Sequence, residues 1–279
     1  MLCFSQAVID PRWSEPWSAW GFERACRGPG RQRSKLKNLL AIKFLGAAGT
    51  VTGSQYAVQY GQNSVLVDCG LFQGMDEAEQ LNREPMHPLA LKAEALVLTH
   101  AHTDHVGNVP RLIREGFRGP IFCTEPTPDL CQLLWLDSAR LQQFRATTAL
   151  PATFDETDAL DALDQLKARP YATRFSVMPG VQATFYNAGH VLGSAWVELE
   201  FDPLPEWPEQ RPVVVVFSGD IGREGHAMLA PAQRPLRADF LVLESTYGPR
   251  LPPPLRAGEQ LAAAVNEARK RRSTLLIPA

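Results

Sequence analysis

The sequence predicts an α/β domain: two β-sheets packed face to face, with helices on the outside. Strand-sized apolar runs come first, helix-length segments occupy the middle, and a second block of strands follows. Gly, Pro, Asn and Asp punctuate these runs at turn positions. With 279 residues, 45% hydrophobic and 21% charged, the chain has ample core for one large or two ordinary globular domains.

Residues 1–40 stand apart. They hold seven basic residues against three acids, several Trp, Pro and Gly, and no clear period. The stretch lacks the clean amphipathic pattern of a transit peptide and the apolar core of a secretory signal. It is expected to be a disordered or spurious extension. Residues 42–46 then read as a strand, and Ala47-Ala48-Gly49-Thr50-Val51-Thr52-Gly53-Ser54 as a glycine-rich loop. Strands at 55–59 and 64–67 follow across a turn at Gly61-Gln62-Asn63. A buried strand is expected at 95–99, a short helix at 108–115 and another strand at 120–123. The leucines Leu130, Leu133, Leu134, Leu136 and Leu141 define one face of a long amphipathic helix over 127–144. Trp135 and Phe144 on that helix read as core. A second helix covers 156–167, opened by Asp155 and stopped before Pro170. Strands are expected at 174–177, 181–187, 195–201, 213–217 and 240–243. A helix with a basic end covers 257–271, and 274–277 begins a strand. A chain that stops inside a strand reads as a truncated protein.

The net charge of −2 excludes a surface dominated by positive charge, while leaving room for a local basic groove. The longest apolar runs, such as Val213-Val214-Val215-Val216-Phe217, are strand-sized and far short of a membrane span. Cys3, Cys26, Cys69, Cys123 and Cys131 form no C-x-x-C pair, and this odd, scattered set fits free thiols in a reducing compartment. Arg269-Lys270-Arg271-Arg272 is a solvated helix end that complements the helix dipole, in preference to a phosphate contact.

Chemistry concentrates in Thr99-His100-Ala101-His102-Thr103-Asp104-His105, directly after the apolar run 95–98. Three of the chain's six histidines fall within six residues, with an aspartate among them. Packing does not explain such a group, because crowded polar and charged side chains cost stability unless a cation compensates. His100 and His102 lie two apart at a strand end, so their rings point to the same side. Asp104 and His105 sit on the turn beyond, able to face a second metal. Imidazole and carboxylate donors without thiolate suit Zn²⁺, with Mn²⁺ or Fe²⁺ as the other options. His190, Asp220 and Asp68 each follow an apolar run and lie beside a glycine, where the backbone turns sharply.

Seven segments together resemble one family. They are the glycine-rich loop, Leu66-Val67-Asp68-Cys69-Gly70-Leu71-Phe72-Gln73-Gly74, the 99–105 motif, Thr124-Glu125-Pro126-Thr127, Gly189-His190-Val191-Leu192-Gly193-Ser194, Ser218-Gly219-Asp220-Ile221-Gly222 and Glu244-Ser245-Thr246-Tyr247-Gly248. In this order they resemble the metallo-β-lactamase superfamily, and within it the β-CASP group of RNA- and DNA-processing nucleases, over about residues 42–279.

The resemblance implies an αββα sandwich at 41–247, incomplete, and the start of a β-CASP insertion at 248–279. It implies two zinc ions: His100, His102 and His190 on the first, Asp104 and His105 on the second, Asp220 bridging them, and Asp68 orienting ligands or water from behind. Glu244 matches the acid that opens the β-CASP segment and there supports a histidine near the leaving group. That histidine, and one completing the second site, match nothing here; His226 has the wrong context, and Pro249-Arg250-Leu251-Pro252 departs from the family pattern. The implied reaction is in-line attack on phosphorus, weak or absent in this chain because leaving-group protonation is unprovided. RNA is the implied partner, single-stranded DNA the other option, in the cytoplasm, as a homodimer or within a processing complex. Two alternatives stand: hydrolysis of a small thioester or lactam, and a non-catalytic scaffold subunit.

Overall fold

The computed structural model describes residues 7–8, 40–147, 150–203, 210–226, 228–248 and 257–277. It divides into two compact units, Met1–Ser245 and Thr246–Ala279.

The first unit is built on two six-stranded sheets. One runs in the order β2 (Leu40–Phe44), β3 (Tyr56–Tyr60), β4 (Asn63–Val67), β5 (Ala95–Val97), β6 (Ile121–Thr124), β7 (Leu166–Arg169). Its first three strands are an antiparallel meander; β4 to β7 are parallel, so their carboxyl ends share one rim. The other sheet runs β1 (Ala7–Val8), β12 (Phe240–Val242), β11 (Val213–Phe217), β10 (Ala195–Phe201), β9 (Val181–Asn187), β8 (Phe175–Met178). Only β11 and β12 are parallel within it.

The sheets bury one continuous core between them. Val58, Val65, Val67 and Val97 face Val197, Leu199, Phe201, Val215 and Phe217. Period-two alternation produces this: along β10 Val197, Leu199 and Phe201 are buried while Glu198 and Glu200 between them are half-buried. The opposite face of the first sheet, through Leu66, Leu96, Leu98, Ile121 and Cys123, packs on helices. These include α2 (Pro88–Leu91), α4 (Val109–Arg114), α5 (Thr127–Arg145) and α6 (Glu156–Asp164). Two single helical turns, α1 (Ala78–Leu81) and α3 (Thr103–Val106), complete this unit. The outer face of the second sheet, at Trp196, Val214 and Val216, is capped instead by extended chain: Trp196 Nε1 donates to Gln233 O at 2.9 Å. Among the described residues of the first unit no helix covers that face.

Several expectations need correction. The buried stripe of α5 is Thr127, Cys131, Trp135 and Ala139, not the leucines; Leu133 is 72% exposed and Phe144 89%. A four-residue spacing of small and aromatic residues lets the helix lie close on the sheet, and the leucines fall to its flanks. The second middle helix stops at Asp164, and Leu166–Arg169 is instead the edge strand β7, which parallel β6 extends. Residues 274–277 form no strand. Ala7–Val8 pairs with the open edge of β12, Ala7 opposite Val242 and Val8 opposite Leu241, so the expectation of disorder over 1–40 fails at these two positions. Leu40 likewise begins β2; the remainder of that stretch, and Pro249 to Pro252, lie outside the described residues.

The second unit contains α7 (Ala257–Arg271), with Arg269, Lys270 and Arg271 in its last turn, as the charge pattern predicts. No described helix is long and apolar enough to cross a membrane.

Candidate metal centre

The chemistry-bearing residues sit where strands end at a common rim. Asp68 follows β4, His100 and His102 follow β5, His190 follows β9, and Asp220 follows β11. Ala195 N donates to Thr99 O at 2.8 Å, tying the end of one sheet to the start of β10 in the other. Glycines make the close approaches possible. A Cβ on Gly70 would lie 1.7 Å from Asp104 O, and one on Gly222 would lie 1.7 Å from Gly189 O. Asp68 adopts φ +56, a left-handed conformation that Asp tolerates and that turns its carboxylate back across the strand end.

His100, His102, His190 and Asp220 each present one ligand atom, all within 4.8 Å of one another. His102 Nδ1 lies 3.0 Å from His100 Nε2 and 3.1 Å from His190 Nε2. Asp220 Oδ2 is 3.4 Å from His190 Nε2 and 3.8 Å from His100 Nε2. The other oxygen faces elsewhere: Asp220 Oδ1 is 3.3 Å from His105 Nε2, which is 3.9 Å from Asp104 Oδ2. One carboxylate thus stands between two donor groups. Asp104 and His105 belong to the helical turn α3, not to an open turn.

Asp68 lies behind this arrangement, 1% exposed, with Oδ2 accepting from His105 Nδ1 at 2.7 Å. Glu244 comes to the loop that carries Asp220, where its Oε1 accepts the Ile221 backbone N–H at 2.9 Å. His226 Nδ1 accepts the backbone N–H groups of Met228 and Leu229, a local turn cap.

Electrostatics sort these groups. Burial, reinforced by the neighbouring His105, His102 and His190, holds His100 well below the usual histidine range. His102 is lowered by burial and by His190. Both are therefore neutral imidazoles, the form that binds a cation. Burial also acts to lower His105, but Asp68 and Asp220 outweigh it and push the ring up to about 10. Burial acts to raise Asp220, but the hydrogen bond and charge of His105, then His190 and His102, hold it below the usual carboxylate value. Three imidazoles and a shared carboxylate, with no thiolate, fit a divalent cation. Asp68 and Asp220 flank the His105 ring, so positive charge at this position is stabilised from both sides.

Three residues escaped the sequence reading. Thr99 donates to Asp68 through both its backbone N–H and its hydroxyl, and Ser54 donates to it as well. Both stand inside the quoted motifs, so the signal available was adjacency alone. Ser194, which accepts the backbone N–H groups of His190 and Val191, is a third.

Residues 48–126 match the family model described as the metallo-beta-lactamase superfamily. The chain is 35% identical over 217 residues to a protein of Thermus thermophilus named Ribonuclease TTHA0252, covering 78% of this chain and 46% of that protein. It is 32% identical over 244 residues to the Transcription termination factor FttA of Methanocaldococcus jannaschii, covering 86% and 37%. The Endoribonuclease ysh1 of Schizosaccharomyces pombe is 32% identical over 213 residues, covering 76% and 26%. The chain thus spans less than half the length of each of these relatives.

Proposed function

We propose that this chain is a β-CASP member of the metallo-β-lactamase superfamily and carries the dinuclear zinc centre of an RNA-cleaving phosphodiesterase. The observation that supports this best is Asp220, which offers Oδ2 to the His100, His102 and His190 group and Oδ1 to His105 beside Asp104. In this reading His100, His102 and His190 hold one ion, Asp104 and His105 hold the other, and Asp220 joins both. Bound there, two zinc ions would polarise a phosphate oxygen and lower the pKa of an attacking water to about 7.

The chain's own residues do the rest. His100 and His102 enter as neutral donors because burial keeps them so. Asp68 accepts from His105 Nδ1, which leaves Nε2 turned towards Asp220. Glu244 holds the 218–222 loop by its bond to Ile221 N, and so steadies Asp220; this is the role proposed for it here, in place of support for a leaving-group histidine. RNA as substrate rests on relatives named a ribonuclease and an endoribonuclease. Residues 41–247 are proposed as the metal-binding domain and 248–279 as the start of a second. The free, buried Cys69, Cys123 and Cys131 suit a reducing, cytoplasmic setting, with a homodimer or a processing complex as the assembly.

The test is cleavage of end-labelled single-stranded RNA by the zinc-loaded chain, with single-stranded DNA, a thioester and a β-lactam in parallel. Weak cleavage of RNA that His102→Ala abolishes is expected. Hydrolysis of the thioester or lactam in its place, or RNA cleavage that His102→Ala leaves unchanged, would overturn the reading.

A further inference from the structure

We propose that the Thr99 hydroxyl is a positioning group that couples the two metal positions through Asp68; the inference rests on the dinuclear reading above. The Asp68 carboxylate, 1% exposed, receives four donors. Oδ1 accepts Thr99 N at 2.8 Å, and Oδ2 accepts His105 Nδ1 at 2.7 Å, Thr99 Oγ1 at 2.9 Å and Ser54 Oγ at 3.1 Å. Three of the four donors converge on Oδ2 and one holds Oδ1, so the carboxylate cannot rotate without losing bonds.

Thr99 Oγ1 also lies 3.1 Å from His100 Nδ1 and 3.3 Å from His105 Nδ1. A hydroxyl has one proton, and here it points to Asp68; the lone pairs then accept the His100 Nδ1–H. That assignment fixes His100 as the tautomer whose bare Nε2 faces His102 and Asp220. By the same logic Asp68 fixes His105 with Nε2 towards Asp220. A continuous path therefore runs from His100 through the Thr99 hydroxyl and Asp68 to His105, from one donor group to the other. Space around Thr99 is tight, since a Cβ on Gly219, next to Asp220, would come within 2.8 Å of the Thr99 Cβ. Ser54 touches Asp68 without that link to His100.

The two residues consequently predict different failures. Outer hydrogen-bond partners of metal-ligating histidines contribute about 10–100-fold in metal affinity. Thr99→Val, which keeps the shape and removes the hydroxyl, is expected to weaken both zinc-binding steps by that order. Thr99→Ser should restore both, and Ser54→Ala should weaken only the step that depends on His105. The measurement is zinc competition against a chromogenic chelator, with the visible absorption of the Co²⁺-loaded chain reporting ligand geometry at each step.

Thr99→Val binding like the unaltered chain, or Thr99→Ser falling as low as Thr99→Val, would overturn the proposal. Should Thr99→Val fail to fold, Thr99→Ala beside Thr99→Ser decides: loss at both steps in Thr99→Ala that Thr99→Ser restores supports the coupling, while loss at one step or none overturns it. An unaltered chain that takes up no zinc at all would end the dinuclear reading itself, and this inference with it.

Discussion

Asp220 divides its two oxygens between two donor groups, and this division makes a substitution there informative. Asp220→Asn keeps the size and removes the charge that would balance two cations in the proposed centre. Its expected cost exceeds the ~10–100-fold typical when a ligand merely loses a hydrogen-bond partner. It should also appear at both zinc-binding steps, which stepwise zinc titration would read. Buried thiols give a second residue-level prediction. Burial raises Cys69 and Cys131 and pushes Cys123 up to about 12. At pH 8 all three should resist a thiol-specific chromogenic reagent in the folded chain and react once urea is added. The sign of the pH effect follows. Above the ordinary thiol value of 9.0 the unfolded chain loses these protons before the folded one does. Stability should therefore fall as pH rises from there towards about 12, which urea unfolding across that range would record.

Elements hold the site in place without donating ligands. Trp135 of α5 is fully buried, and its Nε1 donates to Val106 O at the end of α3, the turn that carries Asp104 and His105. Trp135→Ala is expected to cost about 3–5 kcal/mol in urea unfolding. Leu133→Ser on the exposed flank of the same helix should stay within about 0.5 kcal/mol. Gly70→Ala and Gly222→Ala should both lose zinc, because each added Cβ meets backbone at 1.7 Å and forces apart the loops that bear ligands.

This scale also shows what sequence could and could not convey. Strands with unbroken alternation or unbroken apolar runs, such as β9, β10 and β11, were legible to the residue. The β7 edge strand was not, because Leu166-Lys167-Ala168-Arg169 gets its strand geometry from pairing with β6, a long-range effect that local pattern lacks. The face of α5 misled because leucine content outvoted the tighter spacing of Thr127, Cys131, Trp135 and Ala139. Ligand candidates were legible since His and Asp at strand ends are chemically conspicuous. Thr99 and Ser54 were not, since a hydroxyl reveals its role only through the distances to Asp68.

At the scale of the whole first unit, the site exists because two sheets meet. His100, His102, Asp104 and His105 come from the rim of one sheet, while His190 and Asp220 come from the other. The core of valines, leucines and phenylalanines between the sheets sets their register, and each fully buried side chain of that kind contributes about 1.5–3 kcal/mol. The centre is thus a product of the fold as a unit, and should be lost together with it on denaturation. The most direct test is equilibrium dialysis of the folded 279-residue chain against zinc, followed by elemental analysis beside His102→Ala. About two zinc ions per chain, sharply reduced in His102→Ala, is the predicted result. Zinc no higher than in the dialysis buffer, or a content that His102→Ala leaves unchanged, would contradict the account.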